Sequence, residues 1–153
     1  MAVKPIPDGY TSVTPYLTVT GVGQLLDFVK KAFDADETVR MARADGSIGH
    51  AEVAIAGSMV MMGEASGQMP PMPGMIHLYV DDCDATYHRA LESGATSLQE
   101  PADQFYGDRT AGVRDPLGNV WWIAKHVEDV PEDEMAKRSE EWAKQAAQQP
   151  SQG

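Results

Sequence analysis

The order of predicted secondary structure repeats once along this chain of 153 residues. In the first half, "SVTPYLTVTG" alternates as a strand, "GQLLDFVKKAFDA" has helical spacing, and three strand-like segments follow, separated by turns. The second half, from "GMIHLYVDD" onwards, predicts the same series of one strand, one helix and three strands. One helix covers only one face of a four-stranded sheet. Two such halves therefore bury their remaining faces against each other or enclose a groove.

The breaks between these segments divide the chain into five parts. Proline-rich "GQMPPMPG" predicts a linker, and "VPEDEMAKRSEEWAKQ" predicts a surface helix with acidic residues in its first turn. The predicted parts are an N-terminal arm (1–11), a βαβββ module (12–66), a linker (67–73), a second βαβββ module (74–126), and a C-terminal helix with a disordered tail (127–153). The fold class predicted is α+β.

The charge and the cysteine content exclude several classes of protein. The net charge of −11 argues against nucleic acid or a membrane surface as a partner, because phosphate binding needs clustered Lys and Arg. The single cysteine, Cys83, excludes an internal disulfide and suits a reducing compartment. No apolar run is long enough for a signal peptide or a membrane span. We therefore expect a cytoplasmic protein.

Two longer segments carry a family resemblance. Together with the repeat, "DGSIGHAEVAIAGSMVMMGE" and "YGDRTAGVRDPLGNVWWI" resemble the vicinal oxygen chelate superfamily, and within it the PhnB-like branch. This superfamily includes glyoxalases, bleomycin-resistance proteins and dioxygenases, and the resemblance covers about residues 12–126. It implies two tandem modules that form a glyoxalase-type barrel or groove. It also implies a homodimer, since chains of this superfamily often pair.

The resemblance also implies where a metal would bind. Metal-dependent members hold one divalent ion with side chains of the first and last strand of each module, usually His, Glu or Gln. The corresponding positions here are Thr14, Met61, Met75 and Trp122. None of these is a normal ligand for a hard or borderline divalent cation. We therefore predict no cofactor and no metal at the family positions, and keep a divalent metal held by shifted ligands as an alternative.

Two adjacent tryptophans in the last predicted strand point to a groove. Neighbouring residues of a strand face opposite sides, so we expect Trp121 to face the helix layer and Trp122 to face the groove. The predicted ligand-binding residues are Tyr16, His50, Glu52, Met61, Met75, His77, Tyr79, Tyr106, Arg109 and Trp122. This aromatic and methionine-rich lining is typical of a pocket for an apolar or aromatic molecule, and equally of a filled core.

Two polar candidates have alternative roles. His50 and Glu52 share one face of a predicted strand. Three roles are open for this pair: an acid–base couple, a displaced metal site, or a structural polar pair. Arg109 clamps a carboxylate or phosphate, or pairs with an aspartate to hold its hairpin.

Three functions remain open. The sequence favours a metal-free small-molecule binder. The alternatives are a metal-dependent lyase, isomerase or dioxygenase with shifted ligands, and a structural dimeric module with a filled groove. Whether the protein is an enzyme, and which residues would be catalytic, is left open by the sequence.

Overall fold

The fold consists of two modules of the same build, followed by one helix. A computed structural model describes residues 2–150; residues 151–153 of the predicted disordered tail lie outside the described residues. Module one comprises β1 (Tyr16–Val19), α1 (Val22–Phe33), β2 (Asp36–Ala42), β3 (Ile48–Ile55) and β4 (Ser58–Glu64). Module two comprises β5 (Met75–Tyr79), α2 (Cys83–Glu92), β6 (Thr96–Asp103), β7 (Asp108–Arg114) and β8 (Val120–His126). The C-terminal helix α3 spans Glu132–Gln148.

The two sheets have the same topology. Their strand orders are β1-β4-β3-β2 and β5-β8-β7-β6. In each sheet the first and last strands of the module pair in parallel, and the other pairs are antiparallel. The prediction of an α+β fold with two tandem βαβββ modules and a C-terminal helix is confirmed. Of the two predicted forms, barrel or groove, a closed barrel is not formed within residues 2–150.

The modules meet through the sides of the sheets that carry the helices. Side chains of both sheets and of α1 and α2 form one hydrophobic core, and the two helices contact each other. Phe33 of α1 packs on Trp121 of β8 with the ring centroids 4.8 Å apart. We call the opposite side of each sheet its outer face. Exposed aromatic and methionine side chains lie there, including Tyr16, Met75 and Tyr79.

The N-terminus of α1 is capped by a residue distant in the sequence. Gly21 precedes the helix with a φ of 119° and offers no side chain for capping, and the first turn contains no acidic residue. Glu64, at the end of β4, supplies the missing acceptor: its Oε2 accepts a hydrogen bond from the Gly21 N–H at 2.7 Å. A carboxylate at this place also interacts favourably with the helix dipole. The structure therefore places Glu64 at the helix N-terminus, away from the outer face.

A buried aspartate organises the turn before β8. Asp115 is 4% exposed, and its carboxylate accepts hydrogen bonds from the backbone of Leu117 and Asn119. It also accepts from the side-chain amide of Asn119 and from the indole of Trp121, both at 2.9 Å. The "DPLGN" segment is thus a structural element that fixes the position of the core tryptophan.

Helix α3 rests on the hairpin between β6 and β7. Arg138 donates hydrogen bonds to Glu128 and to the carbonyl of Phe105, and the ring of Trp142 lies 5.7 Å from that of Phe105. None of its residues is buried. Among the helices of residues 2–150, none combines the length and apolarity needed to cross a membrane.

Candidate functional site

Trp122 lies on the outer face of module two, with Trp121 on the opposite face. Trp121 is fully buried, whereas the side chain of Trp122 is only partly covered. The indole of Trp122 lies against Gly112 of β7, where an added Cβ would come within 2.5 Å of the ring. Glycine at this position therefore lets the indole lie along the sheet, and leaves one side of the ring free for contact.

A small pocket surrounds the free side of this indole. Its volume is about 310 Å³, and it is lined by His77, Gln99, Gln104, Tyr106, Thr110 and Trp122. Aromatic rings form its walls and two side-chain amides supply hydrogen-bonding groups. This combination of flat apolar surface and a few polar groups is typical of sites for small organic molecules.

The outer face of module one has a different chemistry. His50 and Glu52 are joined by a hydrogen bond of 2.7 Å between Nε2 and Oε2, and His50 Nδ1 lies 3.2 Å from the hydroxyl of Tyr16. The hydroxyl of Tyr10, in the N-terminal arm, donates to the other oxygen of Glu52. Because Nε2 donates to the carboxylate, Nδ1 is left as the acceptor for the Tyr16 O–H. The face therefore carries a continuous chain of four polar side chains.

The structure also shows what stands at the family metal positions. Thr14 precedes β1, and the residue opposite Met61 in the sheet is Tyr16. Met75 and Trp122 contact each other, with the indole N–H directed at the methionine sulfur at 3.2 Å. A hydroxyl, two thioethers and an indole do not fit a hard or borderline divalent cation. Within residues 2–150, no three His, Cys, Asp or Glu side chains form a group that could hold a metal ion.

A polar cluster at the end of module two joins Tyr79, which was predicted as a site residue, to Asp108, His126 and Asp129, which were not. Asp108 is 5% exposed and accepts hydrogen bonds from Tyr79 at 2.7 Å and from His126 at 2.8 Å. The other ring nitrogen of His126 lies 2.7 Å from Asp129. Burial on its own raises the pKa of Asp108, but the bonds from His126 and Tyr79 outweigh it and hold this pKa below its usual value.

The same contacts shift the partners of Asp108. Hydrogen bonds to Asp108 and then to Asp129 raise the pKa of His126. The hydrogen bond to Asp108 raises the pKa of Tyr79. Tyr79 therefore remains a protonated donor near neutral pH, and the cluster holds the end of β5 against β7 and β8.

These shifts predict two pH limits of stability. A lowered pKa of Asp108 contributes stability above the unfolded value of about 3.9, which is lost as the pH falls through the folded value. A raised pKa of His126 contributes stability below about 6.5, which is lost as the pH rises through its folded value. Thermal unfolding measured against pH should show both losses in the wild type. Asp108→Asn should weaken both, whereas Asp129→Asn should weaken only the alkaline one. Unchanged pH profiles in the Asp108 variant would contradict this assignment.

Arg109 lies away from the outer faces. Neighbouring residues of β7 alternate, so Arg109 is on the side of α2, where it binds Asp84 and Asp103 at 3.1 Å each. Of its two predicted roles, the contacts correspond to the structural aspartate pairing. The other predicted residues do lie on the outer faces: Tyr16, His50, Glu52 and Met61 on module one, and Met75, His77, Tyr79, Tyr106 and Trp122 on module two.

The sequence did not single out Tyr10, Gln99 or Gln104. Thr110 and Gly112 lie on the outer face of β7 because side chains alternate along the strand. Gln99 of β6 pairs with Gly112, so a correct strand register would have placed Gln99 on the same face. Tyr10 lies in an arm without regular structure, so no pattern indicated that it would reach Glu52.

Most of the chain matches one known superfamily. A model of the Glyoxalase/Bleomycin resistance protein/Dioxygenase superfamily matches residues 10–123, and the chain belongs to this superfamily. An uncharacterized protein of Mycobacterium bovis is 37% identical over 135 residues, which is 81% of this chain and 89% of that protein. The PhnB-like branch remains a prediction.

Two solved structures illustrate the same fold. TioX from Micromonospora sp. ML1 has a TM-score of 0.66 at 24% identity, covering 76% of this chain and 99% of that chain. TnmS3 from Streptomyces sp. CB03234, an antibiotic binding protein, has a TM-score of 0.56 at 25% identity, covering 76% of this chain and 97% of that chain.

Proposed function

We propose that this protein binds a flat aromatic or apolar small molecule on the outer face of module two, without the family metal. The observation that carries the proposal is the indole of Trp122, which lies along the sheet on Gly112 with one side open to a pocket. Tyr106 and His77 add aromatic surface, and Gln99 and Gln104 supply donors and acceptors for the polar edge of a ligand. TnmS3, a protein of similar structure that binds an antibiotic, supports the same class of function.

We further propose that a second copy of this chain completes the groove. The outer faces expose Met75 (72%), Tyr79 (54%) and Tyr16 (47%), which is much apolar surface for a chain without a partner. If module one of each copy covered module two of the other, a two-fold axis would create two identical grooves. Each ligand would then lie between the aromatic pocket and the chain of Tyr16, His50 and Glu52. Size-exclusion chromatography with light scattering should give twice the mass of the chain. A monomer at micromolar concentration would contradict the pairing.

A second candidate function rests on the polar chain of module one. Tyr16, His50 and Glu52 are linked by hydrogen bonds in the order used when a carboxylate orients a histidine and the histidine accepts a proton from a hydroxyl. In a completed groove this set would act on the same ligand as a general base, with no metal required. The binder is preferred, because the pocket beside Trp122 is formed within a single chain, whereas the polar chain of module one would need the completed groove to reach the same ligand.

The ligand site is tested with planar aromatic probes on the wild type and on Trp122→Ala. Anthraquinone-2-sulfonate carries a negative charge and acridine does not. Comparing the two shows whether the acidic net charge of the chain affects binding. A probe at a hundredfold excess over its Kd should stabilise the wild type by about 2.7 kcal/mol in thermal unfolding. Trp122→Ala should lose this stabilisation, and Trp142→Ala should keep it because Trp142 packs on Phe105 and does not line the pocket.

Two outcomes would overturn the proposal. Probes that stabilise wild type and Trp122→Ala equally would exclude the outer face of module two as the site. One equivalent of nickel, zinc, manganese or iron(II) per chain, retained after desalting, would show that a metal is held by ligands outside the family positions.

A further inference from the structure

A second cavity lies at the seam between the two modules. The hairpin between β3 and β4 and the first residues of β4 approach β5 there, and the cavity between them has a volume of about 470 Å³. This volume lies within the usual range of small-molecule sites, which often occur where two domains meet. We call this cavity the seam pocket. Its lining comes from the N-terminal arm, the β3–β4 hairpin with the start of β4, strand β5, and Trp121 of β8.

The floor of the seam pocket belongs to the hydrophobic core. Ile55, Val60, Leu78 and Trp121 are each at most 9% exposed and lie on the helix-side faces of their strands. The pocket therefore extends towards the core between the sheets. Trp121 lines the seam pocket from one face of β8 and Trp122 lines the other pocket from the opposite face, while His77 of β5 borders both.

The N-terminal arm forms the rim of the pocket. Gly9, Thr11, Val13 and Pro15 line it, while Tyr10, between the first two, donates its hydroxyl hydrogen bond to Glu52. The backbone of Pro15 also accepts a hydrogen bond from Met61 at 2.9 Å. The arm is thus held at two points on module one, and the mouth of the pocket keeps a defined border.

One wall of the pocket offers backbone hydrogen-bonding groups. Strand β5 is at the edge of its sheet, and the backbone of Gly74 and of Val80 is bonded to β8. In a parallel pair only every second residue of a strand bonds to the neighbouring strand. Gly74 and Val80 bond to β8, so the N–H and C=O groups of His77 and Tyr79 point away from β8. Among the residues that line the pocket there is no Lys, Arg, Asp or Glu. The lining therefore provides apolar contact and backbone donors and acceptors, and its only ionisable side chains are His77 and Tyr79.

From these features we propose that the seam pocket binds an uncharged, slender apolar molecule that has one hydrogen-bonding end, such as a medium-chain alcohol or ketone. The apolar part lies against Val60, Leu78 and Trp121, and the polar end bonds the free edge of β5. This site and the site on the outer face share His77 at their borders but use opposite faces of β8, and ligand binding at one does not require ligand binding at the other.

The adjacent tryptophans allow the two sites to be read independently. The double variant Trp122→Phe, Trp142→Phe leaves Trp121 as the reporter at the floor of the seam pocket. The double variant Trp121→Phe, Trp142→Phe leaves Trp122 as the reporter on the outer face. The probe is 10-bromo-1-decanol, whose bromine quenches tryptophan emission at contact, and 1-decanol is the unbrominated control. Saturable quenching of Trp121 and only linear, weak quenching of Trp122 is the expected result.

Two filling variants test the location, in the background that keeps Trp121. Val60→Phe places a larger ring in the pocket, and Met61→Phe, its neighbour on the outer face, is the matched control. Thr11→Phe narrows the mouth from the exposed arm and leaves the core unchanged, so it remains informative if Val60→Phe folds poorly. Both filling variants should weaken the apparent affinity at least about tenfold, and the control should not. The proposal would be overturned if quenching of Trp121 were not saturable, or if neither filling variant changed the affinity. Both results hold whatever the outer face binds.

Discussion

Replacing Trp121 with alanine should lower the free energy of unfolding by about 3–5 kcal/mol, the range for removal of a large aromatic side chain from a core. Trp121 is fully buried, packs on Phe33 and donates its indole N–H to Asp115. Its neighbour Trp122 is the matched control. Because Trp122 lies on the outer face and contacts mainly Gly112 and Met75, its replacement should cost about 1 kcal/mol or less.

Urea unfolding of the two alanine variants measures this difference, with the m-value as a check that each variant still unfolds in two states. A similar loss of stability in both would mean that the outer face is filled in solution. That result would favour the structural module with a filled groove over a ligand-binding protein.

Asp115→Ala should destabilise the protein by about 3–4 kcal/mol, because a single change removes the acceptor of four hydrogen bonds at a buried site. The Trp121 indole and the Asn119 amide would be left buried without this partner. Asp115→Asn keeps the shape but presents an amide group to some of these donors, so an intermediate loss is expected. Asp8→Ala is the control, since the side chain of Asp8 in the N-terminal arm is 86% exposed and surface changes of this kind stay within about 0.5 kcal/mol.

The same urea titrations decide the outcome for Asp115. If Asp115→Ala and Asp8→Ala unfolded at the same urea concentration, the "DPLGN" segment would not be the structural element that its hydrogen bonds indicate. The near-ultraviolet circular dichroism of Trp121 gives a second measure, because the aspartate fixes the orientation of the indole.

The sequence predicted the fold because each signal for it is local. Alternation along the last strand places Trp121 and Trp122 on opposite faces, as the structure shows. The first strand was predicted from Ser12, but the structure begins it at Tyr16. Pro15 has no N–H, so it cannot donate to a sheet ladder, and the preceding residues form the arm instead.

The candidate site was less predictable, because its contacts join residues that are far apart in the chain. Tyr10 meets Glu52, and Tyr79 meets Asp108, through pairings that no periodic pattern indicates. Tyr106 and Arg109 lie three residues apart in the "YGDR" segment, which predicts that both contact the ligand. The alternation of β7 places its side chain against Asp84 on α2, on the other side of the sheet.

The capping of α1 by Glu64 has a consequence for the order of folding. Helix α2 carries its own N-cap in Asp82, so its first turn is stabilised by residues three positions apart. Helix α1 depends on an acceptor 43 residues away, which arrives only when β4 has paired in parallel with β1. Closing a chain segment of that length costs entropy before the contact is made. We therefore expect α2 to form early and α1 to become stable only in the late step that completes module one. Two modules of the same topology would then reach the native state by different routes.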